Sequence, residues 1–117
     1  MNLDWKAISL KKGLERHIPA EPGVYVIKSV RRVMNLPVTQ ELIYIGKSKN
    51  LRRRFKEHCD DSSEHNSGLL SERWKRDLEF WYARAGSSKI AELEKQLIGE
   101  LDPLTNIVRY KEKKSGR

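Results

Sequence analysis

The chain has 117 residues, a formal net charge of +8 and an isoelectric point near 9.7. This length predicts one domain with one modest hydrophobic core rather than two domains. No apolar run approaches the roughly 20 residues of a membrane-spanning helix, and a single cysteine, Cys59, excludes an internal disulfide. We therefore expect an intracellular, cytoplasmic protein of a reducing compartment, with no membrane partner, whose charge favours a polyanion.

The N-terminal segment predicts a helix. Spaced apolar side chains over residues 3–17 suit a short amphipathic helix, which defines an N-terminal helical extension over residues 1–18. Pro19 and Pro22 then break the chain before the first strand.

Two predicted strands follow. Residues 23–30 and 41–46 are rich in β-branched residues, which are typical of strands. Residues 31–40 contain an asparagine and a proline and predict the connecting loop. Two neighbouring strands joined in this way most simply form an antiparallel hairpin.

The remaining elements are helices, a loop and one more strand. Asn50 is a good N-cap, so a helix is predicted from there to about residue 59. Beyond it the sequence predicts a polar loop over 60–68, a short helix over 69–77, a third strand over 78–85 and a last helix over 89–101. The predicted class is α+β, with a small three-stranded antiparallel sheet flanked by helices. A single domain covers residues 1–110, and residues 111–117 form a basic disordered tail.

The most informative motifs are two tyrosine triplets. They are Gly23-Val24-Tyr25 and Tyr44-Ile45-Gly46, each with a glycine where backbone or ligand can come close. The second triplet runs directly into residues 47–56, which hold six cations and no acid. Two tyrosines, an arginine and a histidine are thus gathered within 34 residues, a set that could carry out phosphodiester chemistry.

These motifs resemble the GIY-YIG nuclease superfamily. The match includes both triplets, the arginine Arg54 ten residues past Tyr44, and His58, four residues further on. Near the C-terminus, Glu94 and Asn106 look like the family's metal-binding glutamate and its terminal asparagine. The resemblance covers residues 19–108. It implies a GIY-YIG-like fold and a metal-dependent DNA endonuclease, a hydrolase that breaks phosphodiester bonds by in-line attack of water.

One departure from the family lies between the triplets. Eighteen residues separate Tyr25 from Tyr44, more than is usual, and the excess falls in the 31–40 loop. We expect a longer hairpin or an added contact surface there. Arg31 and Arg32 would make it a third DNA-contacting segment.

The tyrosines have two readings. On adjacent strands, a pair of half-buried sheet tyrosines is the ordinary one. A tyrosine has a reference pKa of ~10, and cations such as Lys47, Arg54 or a metal would favour its ionised form. The resemblance implies that one tyrosine is the general base and the other orients water or phosphate; our interpretation favours Tyr25 as the base.

Arg54 and His58 lie four residues apart and share a helix face. Arg54 can bind a phosphate oxygen with its guanidinium fork, whereas its ordinary role would be a solvated helix arginine. His58 is a candidate phosphate ligand or proton relay, whereas a lone histidine is more often a surface residue. The residues predicted to contact DNA are Lys47, Lys49, Arg52, Arg53 and Lys56.

Glu94 borders the apolar stripe of the last helix, where an unpaired carboxylate is costly. Its partner is either an arginine in a salt bridge or one divalent cation, Mg²⁺ or Mn²⁺, completed by water and phosphate. The resemblance favours the metal. Asn106 is predicted to orient backbone or a tyrosine by hydrogen bonds.

Three functional hypotheses follow. The first is the metal-dependent DNA endonuclease. The second is a catalytically inactive nucleic-acid-binding module that uses the 47–56 patch alone, and the third is a small interaction domain. A nuclease of this size would be structure-directed or weakly specific, a homodimer of the restriction type, or a subunit whose partner protein supplies specificity.

Overall fold

In a computed structural model, the chain is described over residues 3–60 and 77–101. The elements are β1 (Lys6–Ser9), a 3-10 turn (Glu15–His17), β2 (Gly23–Val33), β3 (Leu36–Ser48), α1 (Leu51–Cys59), β4 (Leu78–Arg84) and α2 (Ile90–Leu101). The predicted 60–68 loop beyond its first residue, the 69–77 helix up to residue 76, Asn106 and the 111–117 tail lie outside the described residues. The α+β class is confirmed.

The sheet has four antiparallel strands in the order β1-β4-β2-β3, and not the three that were predicted. The strand β2 lies between β4 and β3, and pairs with both over its first seven residues. Tyr25 is therefore opposite Gly46 on one side and Tyr82 on the other. The first triplet therefore lies inside the sheet, with a hydrogen-bonded strand on each side.

The two helices cover opposite faces of the sheet. On one face, α1 buries Leu51, Phe55 and Cys59 against a cluster that contains Tyr25 and Phe80. On the other face, α2 packs Ile90 and Ile98 against Val24, Val26, Ile45 and Ala83. Strand alternation produces this division, because successive side chains of β2 point to opposite faces.

The predicted N-terminal helix over residues 1–18 is wrong: a strand and a 3-10 turn occupy this region. The reason lies in the period of the apolar residues. Trp5 packs on the α2 face of the sheet, whereas Ile8 and Leu10 pack on the α1 face. A strand can divide its side chains in this way, and β4 supplies the hydrogen-bonding partner from residues 79–82.

The two strands of the hairpin extend beyond the predicted ranges of 23–30 and 41–46. Most of the predicted 31–40 loop belongs to β2 and β3, which are joined by a two-residue turn at Met34 and Asn35. Both turn residues have positive φ, of 52° and 70°, as a type I′ hairpin turn requires. The expected longer hairpin is therefore present. It projects past the sheet, because β4 pairs with β2 only as far as Ser29.

A compact junction connects β3 to α1. The Asn50 side chain accepts a hydrogen bond from the Arg53 backbone N–H at 3.1 Å, so the predicted N-cap is confirmed. The first two N–H groups of the helix, those of Leu51 and Arg52, donate to the backbone carbonyls of Glu21 and Pro19. These bonds use the helix N-terminus internally, so an incoming phosphate must be bound by side chains rather than by this helix end.

The C-terminal helix of the described region, α2, begins at Ile90 and ends at Leu101. Its last residue, Leu101, is 48% exposed, whereas Ile98 is buried. Cys59 is buried as a small core residue. Within the described ranges, no helix combines the length and the apolar character that crossing a bilayer requires.

Gly23 should be required for packing, because a Cβ at this position would overlap the Ala83 carbonyl and crowd the Leu51 side chain. We expect Gly23→Ala to lower the free energy of unfolding by about 1–3 kcal/mol, as overpacked cores do. Urea denaturation measures it.

The matched control is Gly99→Ala, which adds the same methyl group in open space on α2. Alanine is the better helix former, so this variant should be more stable by about 0.5–1 kcal/mol. Equal effects of the two substitutions would contradict the packing argument.

Candidate active site

The site is built around Tyr25, whose side chain is only 1% exposed. Its ring stacks on Phe80 with centroids 4.9 Å apart and an interplanar angle of 19°. On the β3 side it lies directly over Gly46, where any Cβ would overlap the phenolic end of the ring. The glycine of the second triplet is therefore there to admit the tyrosine of the first.

The Tyr25 hydroxyl has two partners on α1. It lies 2.7 Å from Nε2 of His58, and it accepts a hydrogen bond from Nε of Arg54 at 3.2 Å. The guanidinium can only donate, so the Tyr25 oxygen accepts from Arg54, whereas the direction of its bond to His58 depends on the tautomer of the imidazole. The predicted shared face of Arg54 and His58 thus converges on one oxygen atom.

A β-bulge brings Tyr44 into the same cluster. The register between β2 and β3 shifts after Ile27, so that Ile43 is an extra residue and both Ile43 and Tyr44 belong to the core on the α1 face. The Tyr44 ring lies 6.0 Å from Tyr25 and 5.6 Å from His58, centroid to centroid. The two tyrosines and the histidine therefore form one aromatic group, in which His58 is fully buried.

Arg54 is held at the edge of this group with its side chain 24% exposed. Its Nη1 donates to Oε1 of Glu57 at 3.1 Å while Nε donates to Tyr25. Burial lowers the pKa of Arg54, but attraction to Tyr25, the hydrogen bonds to Tyr25 and Glu57, and attraction to Tyr44 outweigh it, so the net pKa lies above its ordinary value.

A cation with a raised pKa contributes its full stabilisation at every pH below the ordinary pKa of the group and loses it only at higher pH. Arg54 is therefore a fixed positive charge at every pH at which the protein would be assayed.

Lys47 and Glu94 form a second group. The lysine Nζ lies 3.3 Å from Oε1 of Glu94, whose side chain is 18% exposed. A salt bridge was one predicted alternative for Glu94, and the structure provides it with a lysine, not with the expected arginine. Gly46 faces Tyr25 and the next residue along β3 holds Glu94, so the two groups adjoin along that strand but lie on opposite faces of the sheet.

The predicted DNA-contacting residues lie on α1 and in the residues just before it. Lys49, Arg53 and Lys56 are exposed, and Lys47 is 42% exposed. Arg52 differs, because its Nε donates to the Ile18 carbonyl at 2.7 Å and ties the helix to the N-terminal segment. Asn106 lies outside the described residues.

A metal would find one carboxylate here. Among residues 3–60 and 77–101, no three His, Cys, Asp or Glu side chains come together as a metal cluster. Mg²⁺ commonly keeps several waters and uses one or two carboxylates together with phosphate oxygens. A half-buried glutamate beside a basic surface fits such a cation, with Lys47 as the counter-ion that the cation would replace.

One residue that supports the site, Glu57, was missed in the sequence, and for Gly46 the group that approaches it was not identified. Glu57 holds Arg54, and its spacing of three residues on a helix is a signal that could have revealed it. The role of Gly46 depends on Tyr25 being opposite it in the sheet, which only the register shows.

The fold and this residue set define a class of protein. A family model described as the GIY-YIG catalytic domain matches residues 21–110. The chain belongs to the GIY-YIG family.

Among similar proteins is the UvrABC system protein C of Prochlorococcus marinus, which is 32% identical over 100 residues. The match covers 85% of this chain but 14% of that protein, so the chain spans a small part of its relative's length. The same protein of Synechocystis is 31% identical over 100 residues, again 85% of this chain and 14% of the relative.

The GIY-YIG N-terminal endonuclease domain of UvrC from Thermotoga maritima, bound to magnesium, has a similar fold. The TM-score is 0.54 at 22% identity, with 80% of this chain and 97% of that chain covered. A point mutant of that domain gives a TM-score of 0.55 at 21% identity over 81% of this chain and 96% of that one. This similarity supports the four-stranded arrangement described above.

The Tyr25 hydroxyl should stabilise the fold as well as the site. Tyr25→Phe removes one partner from both His58 and Arg54, and we expect it to lower the free energy of unfolding by about 1–3 kcal/mol. Tyr82→Phe removes a hydroxyl from the neighbouring strand, where no side-chain hydrogen bond to it occurs within the described ranges, and should change stability less. Thermal or urea unfolding of both variants provides the comparison, and equal losses would contradict the shared-oxygen arrangement.

Proposed function

We propose that this domain is a metal-dependent DNA endonuclease that hydrolyses phosphodiester bonds by in-line attack of water. The observation that carries the proposal is the single phenolic oxygen of Tyr25, shared between His58 and Arg54. An isolated sheet tyrosine has no need of a histidine and a fixed cation at the same oxygen atom. The named function of the Thermotoga maritima relative, an endonuclease domain with a catalytic divalent cation, supports the same conclusion.

In the proposed reaction, Tyr25 is the general base. Its oxygen accepts a proton from the attacking water while its own proton passes to Nε2 of His58, 2.7 Å away. The water oxygen forms the new bond to phosphorus as the bond to the leaving oxygen breaks, and the leaving oxygen takes a proton from solvent. Tyr44, beside both rings, would orient the water or the phosphate.

Arg54 would bind the phosphate that is cleaved. Nη1 and Nε are already held by Glu57 and Tyr25, which fixes the plane of the guanidinium before substrate arrives. A preorganised donor of this kind stabilises the extra negative charge of the transition state without having to reorganise. The exposed cations Lys49, Arg53 and Lys56 would contact the flanking backbone.

Glu94 would be the protein ligand of one Mg²⁺, with Mn²⁺ as a substitute. The bound cation would supply charge to polarise the phosphate. Lys47 would release Glu94 when the cation binds and remain close as a second positive charge. Asn106, by its match to the family asparagine, would support the site through hydrogen bonds.

The catalytic proposal predicts that plasmid cleavage in Mg²⁺ depends on two residues on different elements. Arg54→Ala should lower the cleavage rate about 10²–10³-fold, the usual cost of losing one transition-state donor. Glu94→Ala should abolish Mg²⁺-dependent cleavage, because it removes the carboxylate that would hold the cation.

Matched controls are Arg84→Ala and Glu92→Ala, exposed residues outside both groups, which should cleave at the wild-type rate. Cleavage that survives both Arg54→Ala and Glu94→Ala would refute the assigned site. Retention of DNA without cleavage by the wild type would identify an inactive binding module instead.

Cation binding can be tested without activity. Because Lys47 occupies Glu94 in the absence of metal, Mn²⁺ or Mg²⁺ must displace it, and saturating cation should raise the Tm of the wild type. Glu94→Gln should remove the shift, whereas Glu92→Gln should keep it. An equal Tm shift in all three proteins, measured by differential scanning fluorimetry, would show that the cation binds elsewhere.

A further inference from the structure

The part of the molecule that the proposed site leaves unused is the projecting end of the hairpin. We define the hairpin arm as residues 30–40, where β2 and β3 continue as a two-stranded ribbon beyond the last β4 pair at Ser29. Its apolar side chains are unusually open to solvent. They are Val33 at 48% exposure, Met34 at 96%, Leu36 at 64% and Val38 at 45%.

The turn at the end of the arm is chemically unexpected. A two-residue turn with positive φ at both positions favours asparagine or glycine, yet Met34 occupies the first position with φ of 52°. A bulky residue is uncommon in this conformation, and a fully exposed methionine contributes nothing to the core. Its presence therefore points to a contact made by the side chain outside the domain.

Charge on the arm indicates the kind of partner. Strand alternation places Arg31 on the same face of β2 as Tyr25, six residues further along, and Arg31 is exposed. Arg32 lies on the opposite face and is bound to Glu79 at 2.7 Å, so it braces the arm against β4. Arg31 is thus a cation on the face of the active site with no ion pair among residues 3–60 and 77–101, and in a chain of net charge +8 it fits a polyanion better than a protein surface.

We propose that the hairpin arm is a second DNA-contact surface, which holds the duplex to one side of the cleavage point. In this arrangement Arg31 binds a backbone phosphate, and the turn at Met34 packs its apolar side chain into a groove, as apolar wedges of other DNA-binding proteins do. The proposal rests on the proposed nuclease function and adds to it a determinant of substrate length. Glu41, opposite Ser29, separates the arm from the catalytic cluster, so two discrete contacts are expected.

The spacing sets the size of the DNA. Six residues of strand span about 20 Å, which corresponds to roughly six base pairs of duplex. The arm should therefore contribute only when the duplex extends at least this far from the cleaved bond on one side. Shorter substrates should be bound by the α1 cations and Arg54 alone.

The experiment combines two arm variants with two duplex lengths. Arg31→Gln removes the cation, and the double change Met34→Asn with Asn35→Gly removes the apolar tip while giving the turn its preferred residues, so the hairpin should not lose stability. Binding is measured by fluorescence anisotropy in Ca²⁺, after the cleavage position has been mapped. The duplexes end either about three or about ten base pairs from the cut on each side in turn, to bracket the span of the arm.

Wild type should bind the long duplex about 3- to 10-fold more tightly than the duplex shortened on the arm side. Both arm variants should lose this difference and bind the short duplex like wild type. For Arg31→Gln, the slope of log affinity against log salt on the long duplex should fall by about 0.9. The matched control Arg84→Gln removes an exposed arginine outside the arm and should keep the length dependence.

Three results would overturn the proposal, and they are distinguishable. If the arm variants bind both duplexes with the wild-type affinities, the arm does not contact DNA, and the nuclease assignment is unaffected. If the variants bind DNA as wild type does but differ from it in oligomeric state without DNA, as measured by analytical ultracentrifugation, the arm joins two copies of the chain. A wild type that binds neither duplex would overturn the nuclease assignment together with the arm.

Discussion

The candidate site and the docking of α1 both depend on one oxygen atom, the hydroxyl of Tyr25. They also depend on the space above Gly46 that the Tyr25 ring occupies. The ring is stacked on Phe80 and lies over a glycine, so the hydroxyl is delivered to a fixed point beneath α1. His58 and Arg54 meet it from consecutive turns of that helix. Because a buried hydroxyl must keep its hydrogen bonds, the docking of α1 and the geometry of the site are set by the same contacts.

Local signals in the sequence were sufficient for much of this. The hairpin, the Asn50 cap and the common face of Arg54 and His58 each depend on residues close in the chain, and all three are observed. The N-terminal strand was missed because its apolar residues are compatible with two periods. What decides between them is pairing with β4, some 70 residues later, to which no local propensity responds.

The site shows the same boundary between local and distant information. That Glu94 needs a partner follows from its place beside the apolar stripe of a helix, but the choice of Lys47 over an arginine depends on how α2 packs against β3. The bulge at Ile43 gives no recognisable sequence signal, yet it gives the extra residue that places Tyr44 next to His58. The residues of the site could be predicted from the sequence. Which of them contact one another depends on the register of the sheet, which the sequence does not show.

The irregular backbone of β3 also affects how readily the protein associates with other copies in concentrated solution. In the described sheet β3 is an edge strand, and a long regular edge is a template on which other chains can pair. The bulge at Ile43, the second register shift next to Arg31 and the missing N–H of Pro37 interrupt that edge repeatedly. The distortion that places Tyr44 beside His58 thus also makes the exposed hairpin a poorer template for edge-to-edge pairing.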